Sequence, residues 1–138
     1  MRIATPVNLI IINEKNQVLL VKRAEDEDKF KDFWSIPGGG VEENETLEDG
    51  LHREIKEELD CQIENFQYFK SYYYVLNKEL HVRAAYFFGT IRGHIKLNEE
   101  SSKYYWFDFD EIEELKLAFN QSQVMKEFIE YITDQSIK

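Results

Sequence analysis

The chain has 138 residues, of which 43% are hydrophobic and 14% aromatic, and its formal net charge is -10. That content can bury a core without staples, which argues against global disorder, and the length suits one domain over residues 1–138. The acidic balance disfavours nucleic acid as a partner, because it repels a phosphate backbone, and the single cysteine, Cys61, excludes an internal disulfide and points to a reducing compartment.

Val7 to Ile12 is apolar and largely β-branched, with Asn8 inside it. The run is too short to span a membrane and lacks the length and cleavage site of a signal peptide. The expectation is a cytoplasmic protein with no membrane partner. A second apolar run, Val18 to Val21, follows the polar stretch Asn13 to Asn16, so the two predict a hairpin. Residues 25–32 read as a charged loop, either simply solvated or lying over a site. Phe33 to Ile36 is a short strand candidate, and Pro37 to Gly40 then breaks the chain.

Thr46 to Leu59 is predicted to be a helix, with Leu47, Leu51, Ile55 and Leu59 forming one buried stripe. Two β-rich stretches follow, from Ile63 to about Leu76 and from Leu80 to Ile91, joined at Asn77 to Glu79. Tyr104 to Phe107 is a last strand, and Asp108 to Leu115 a short acidic helix. A C-terminal helix starts near Asn120, whose spacing to Gln123 is that of a capping box. Strands interleaved with a few helices predict an α/β sandwich with a mixed sheet.

The informative chemistry lies between Gly39 and Cys61. Glu54, Glu57 and Glu58 stand at i, i+3 and i+4, so they share a helix face. Like charges so placed destabilise a bare helix by about a few tenths of a kcal/mol per pair. Hard divalent cations want such oxygen donors. A solvated acidic face is the plainer alternative. The preceding Gly38, Gly39 and Gly40 permit close backbone approach by a ligand, and their carbonyls offer further oxygen donors.

This segment resembles the Nudix box. The box runs Gly, five residues, Glu, seven residues, Arg-Glu, an aliphatic residue, any residue, Glu-Glu, any residue, Gly and an aliphatic residue; here those positions are Gly39, Glu45, Arg53, Glu54, Ile55, Glu57, Glu58, Asp60 and Cys61. Asp60 replaces the second glycine and Cys61 the last aliphatic residue. Asp tolerates the left-handed backbone expected past a helix, and Cys61 packs as a small hydrophobe. The likeness extends to Trp34 through Gly39, to Arg23 ahead of them, and to Trp106 with the acids after it.

The resemblance implies a Nudix-type α/β/α sandwich and hydrolysis of a phosphoanhydride bond in a nucleotide. It implies Mg²⁺, or Mn²⁺, held by Glu54, Glu57, Glu58 and the Gly38 carbonyl, with Glu54 tied to water activation. Arg53 and Glu45 are expected to pair and support the site. The family's general base varies; Glu100 matches one common place, with Glu99 competing and a plain surface acid as the bland reading. Arg23 and Gly39 are expected to bind substrate, and Arg83 is an open alternative on phosphate. His52, His81 and His94 show no ligand spacing. Tyr72 to Tyr74 and Phe119–Asn120 are candidates to line a base pocket, although strand alternation and capping explain them equally.

A small nucleotide is the implied partner, and the family often forms a homodimer. The nucleoside-triphosphate pyrophosphohydrolases, acting on standard, oxidised or otherwise non-standard bases, fit the short chain. Nucleotide-sugar cleavage is the runner-up. ADP-ribose is disfavoured because Val75-Leu76-Asn77 stands where many such enzymes carry a proline. A sensor domain without catalysis would usually lose box carboxylates, all of which this chain keeps.

Overall fold

In Val7–Ile11, alternate side chains are driven to opposite sides, as a strand buried on both faces requires. This strand, β2 (Pro6–Ile12), divides the molecule. Val7, Leu9 and Ile11 pack with Leu51, Ile55 and Leu59 of helix α1 (Leu47–Leu59), while Ile10 packs with Val124, Met125 and Phe128 of helix α3 (Gln121–Ile137). The result is two hydrophobic cores, one on each side of a single sheet. The computed structural model describes residues 1–24 and 30–137, so most of the charged stretch 25–32 lies outside the described residues.

The remaining strands are β1 (Arg2–Ala4), β3 (Gln17–Arg23), β4 (Trp34–Ser35), β5 (Gly38–Gly40), β6 (Gln62–Asn77), β7 (Leu80–Arg92) and β8 (Ser101–Asp108), and the expected acidic helix after β8 is the single turn α2 (Phe109–Ile112). β1 and β2 each pair parallel with β7; the other pairings are antiparallel. The expected α/β/α sandwich with a mixed central sheet therefore forms. The β2–β3 hairpin closes through Asn13, whose side chain accepts from Lys15 N and Gln17 N, with Asn16 left-handed at φ 58°.

Four sequence expectations need correction. Pro37 to Gly40 does not simply break the chain: Gly38, Gly39 and Gly40 pair with Asn8, Val7 and Pro6 as a strand. Leu47 is exposed and does not join the α1 stripe. β1 forms where no strand was expected. Asn120 does not cap α3 with its side chain, because its Oδ1 is buried without a hydrogen-bond partner while its backbone carbonyl accepts from Gln123 N and Val124 N. Asp60 ends α1 in the left-handed region (φ 56°, ψ 36°), and Cys61 is buried, both as expected.

Candidate active site

α1 begins at Thr46, whose hydroxyl accepts from Asp49 N, and its acidic first turn suits the helix N-terminus. From that anchor the helix carries Arg53, Glu54, Glu57 and Glu58 along β5. Arg53 holds the glycine strand in place. Its Nε donates to Glu45 Oε2 at 2.7 Å, and its Nη2 donates to Glu45 Oε1 at 3.0 Å and to the Gly40 carbonyl at 2.8 Å. Donation to the Glu45 carboxylate holds the guanidinium well above its usual range, and Arg53 in turn pulls the Glu45 carboxyl down. Nη1 also reaches Glu54 at 3.0 Å and Glu57 at 3.2 Å.

Glu58 is 5% exposed and accepts from Gly38 N at 3.3 Å. Burial pushes its carboxyl up to about 8, and the nearby Glu100 and Glu54 charges add to the shift, against Arg23. Glu54 is raised for the same first reason, with Glu57 and Glu100 contributing and Arg53 opposing. Glu57 is half exposed. Glu100 thus lies within electrostatic reach of Glu58 and Glu54. The chain brings it there by laying residues 96–98 on the end of α1: Lys96 N donates to the Leu59 carbonyl and Asn98 N to that of Glu58. The Glu100 carbonyl then accepts from Ala24 N, beside Arg23.

Two observations test whether these residues suit a divalent cation. Buried Glu58 and part-buried Glu54, both with raised proton affinity, stand near a third carboxylate, Glu100, which is costly unless positive charge offsets it. A Cβ on Gly39 would lie 2.5 Å from the Glu54 carboxylate, so the bare carbon leaves a cradle for that group. Among the described residues, no three acidic, histidine or cysteine side chains already stand in the geometry of a cation cage; Arg53 engages Glu54 and Glu57 instead. The donor set is all oxygen and fits Mg²⁺-type ligands.

Behind this cluster, on the α3 side of the sheet, lies a cavity of about 470 Å³. Arg23 and Gly40 form its edge toward the carboxylates, and Asn8, Tyr74, Phe119 and Gln121 are among its walls. The Arg23 guanidinium sits 5.5 Å over the Phe119 ring, which itself contacts Phe30 at 4.6 Å. Gly39 faces Glu54 and does not line the cavity; Gly40 does. Tyr74 lines it, Tyr72 is buried and Tyr73 is exposed. Arg83 pairs across the sheet with Tyr73, away from the cavity. His52 packs edge-on to Phe66, and His81 is hydrogen-bonded to Tyr73.

Sequence reasoning missed Gln121 and Asn8 as parts of this surface, while Gly40 was among the glycines expected to let a ligand approach. Gln121 is buried, accepting from Ile36 N at 2.9 Å and bonded to the Tyr86 hydroxyl. Asn8 carried a signal, being the one amide inside an apolar run.

The arrangement matches known proteins over nearly its whole length. An ADP-ribose pyrophosphatase of Methanocaldococcus jannaschii is 28% identical over 124 residues, covering 88% of this chain and 70% of that protein. An 8-oxo-dGTP diphosphatase of Buchnera aphidicola is 30% identical over 122 residues, covering 88% of this chain and 90% of that protein. The crystal structure of a MutT protein from Methanosarcina mazei Go1 aligns with a TM-score of 0.84 at 27% identity, over 94% of each chain. The NUDIX domain profile matches residues 3–128, and the chain therefore belongs to the NUDIX domain family of pyrophosphohydrolases.

Proposed function

We propose that this chain hydrolyses a nucleoside triphosphate, oxidised or otherwise non-standard bases included, to the monophosphate and pyrophosphate. The observation that carries the reading is that two cavity residues reach the carboxylate side: the Gly40 carbonyl accepts from Arg53, and the Arg23 charge acts on Glu58. A cavity of about 470 Å³ with mostly apolar walls suits a nucleoside. Phosphates leaving it at that edge would meet the Arg23 guanidinium and the carboxylate side of the glycine strand.

Glu54, Glu57 and Glu58, with the Gly38 carbonyl, would hold Mg²⁺, for which Mn²⁺ can substitute. Such ions neutralise phosphate charge, polarise the phosphoryl group and acidify an attacking water. The chain's own residues supply the rest. Arg53, gripping Glu45 and the Gly40 carbonyl, fixes the distance between the glycine strand and the carboxylates. Arg23 orients a phosphate oxygen. Glu100 takes the proton from the attacking water, with Glu99 as the alternative base. Residues 1–138 act as one domain on a small nucleotide in the cytoplasm, with a homodimer as the assembly to test.

Cleavage of a nucleotide sugar is the second reading. It is favoured by similarity to the M. jannaschii ADP-ribose pyrophosphatase and disfavoured by Val75-Leu76-Asn77 at the proline position. A panel of nucleoside triphosphates and nucleotide sugars, assayed with Mg²⁺ and with EDTA beside Glu57→Gln, separates the two. Metal-dependent release of pyrophosphate, lost by about 10²-fold or more in the variant, is expected. Turnover confined to nucleotide sugars would overturn the triphosphate reading. Binding of the panel without cleavage in Mg²⁺ or Mn²⁺ would overturn hydrolysis itself.

A further inference from the structure

The β2 strand is apolar from Val7 to Ile12 except at Asn8, and Asn8 is 6% exposed. A carboxamide carries two donors and an acceptor with two lone pairs, and burying it unpaired costs stability. No described residue hydrogen-bonds to the Asn8 side chain. Strand alternation puts it on the face of Ile10, where it forms part of the cavity wall with Val82, Ala84 and Tyr86. Its Oδ1 lies against Gly38, at 2.6 Å from where a Cβ on that glycine would sit. The cavity's other buried amide, Gln121, is already committed to Ile36 N and to Tyr86.

The Asn8 amide is not sealed off: it lines the cavity, and a polar side chain there without a protein partner is placed to pair with what enters. We propose that Asn8 determines which base the cavity accepts, its carboxamide pairing with a nucleobase edge that presents a hydrogen-bond acceptor beside a donor. This rests on the nucleotide reading above and adds the residue that selects within the class. Asn8 touches the base and takes no part in the bond cleavage. A pocket built to pair with a polar edge rejects bases whose edge is differently arranged, because the amide is then left buried and unpaired.

The test is metal-free calorimetry of nucleoside monophosphates (adenine, guanine, 8-oxoguanine, cytosine and uracil) against the full chain, Asn8→Leu and Asn8→Asp. The wild-type chain should rank the bases over at least about tenfold, and Asn8→Leu should weaken the preferred one by about 10- to 100-fold and the others by less than about threefold. Asn8→Leu should also melt no lower than wild type, since no protein hydrogen bond is lost. A merely structural asparagine would show the reverse, a lower melting point with a uniform loss of binding. Asn8→Asp keeps the shape and should reorder the ranking toward bases that offer donors. An unchanged ranking in both variants overturns the inference, as does a wild-type chain that binds all bases alike; neither touches the proposed hydrolysis. A wild-type chain that binds no nucleotide overturns the nucleotide reading, and the role of Asn8 with it.

Discussion

Alanine at each of the three consecutive glycines of β5 should give three different outcomes. At Gly38 (φ +153°) a Cβ would lie 2.1 Å from the Val7 carbonyl oxygen and 2.6 Å from the Asn8 Cα, both backbone atoms of the paired strand. Relief requires pulling β5 off β2, so Gly38→Ala should cost about 3–5 kcal/mol, a large part of a domain's stability. At Gly39 the obstruction is the far end of a side chain, the Glu54 carboxylate at 2.5 Å. That group can retreat by about 1 Å at roughly 0.5–1.5 kcal/mol of rotamer strain, offset by about 0.4–1 kcal/mol from the stiffer unfolded chain. Gly39→Ala should therefore fold within about 1 kcal/mol of wild type, yet lose about 10²-fold in kcat/KM through a displaced carboxylate. At Gly40 a Cβ meets nothing within 4 Å. Gly40→Ala should gain about 0.4–1 kcal/mol, with any loss of activity appearing in KM as its methyl meets substrate at the cavity edge. Thermal unfolding without metal, beside pyrophosphate release in Mg²⁺, reads both quantities. Full activity in Gly39→Ala, or its unfolding alongside Gly38→Ala, would refute the claim that the bare carbon exists to seat Glu54.

Two further perturbations probe separate parts of the frame. Arg53→Lys keeps the charge but loses the fork to Glu45 and the Gly40 carbonyl; kcat should fall about 10- to 100-fold with KM little changed, and an unaltered kcat would show that the glycine strand is held by other means. Glu127 on α3 accepts from Lys70, Gln123 and Tyr72, in that order of effect, which pulls its carboxyl from 4.5 to about 2. A depressed acid stabilises the fold above its unfolded pKa, and that contribution fades as pH falls from about 4.5 toward 2. Wild type should thus exceed Glu127→Gln by about 1 kcal/mol at pH 7, allowing for solvent screening, and the gap in melting temperature should close near pH 2. A gap independent of pH would deny the carboxylate this role.

Much of this was legible locally. The Leu51, Ile55 and Leu59 stripe, the alternation in Val7 to Ile12 and the glutamate spacing each encode a direction that the fold obeys. Periodicity gives the direction of a helix face but not the extent of the surface covering it, so Leu47 reads as core and is exposed. The glycine run reads as a break because its partner, residues 6–8, is distant in sequence and glycine has no β signal of its own. Asn120 has the spacing of a cap, but spacing cannot show that the side chain turns inward while the backbone carbonyl meets the helix donors. Glu100 looks like any loop acid until residues 96–98 are seen lying on the end of α1.

The two faces of the sheet divide the work, and β2 is where they meet. Carboxylates from α1 crowd one side of β5, where burial and mutual repulsion raise Glu54 and Glu58. The cavity opens on the other side, under α3, with walls that carry little charge. A single flat strand would keep these apart. Here β2 pairs with β3 through Ile11 and Ile12 but with β5 through Pro6 to Asn8, so the sheet forks along its length. Arg23, at the end of β3, and Gly40, at the end of β5, line the cavity on the two arms of that fork, and the Arg23 charge is felt by Glu58. A ligand that is apolar and planar at one end and polyanionic at the other would therefore be held by both faces at once. An acidic chain can then bind it without a basic surface, because the charge that matters is confined to the fork.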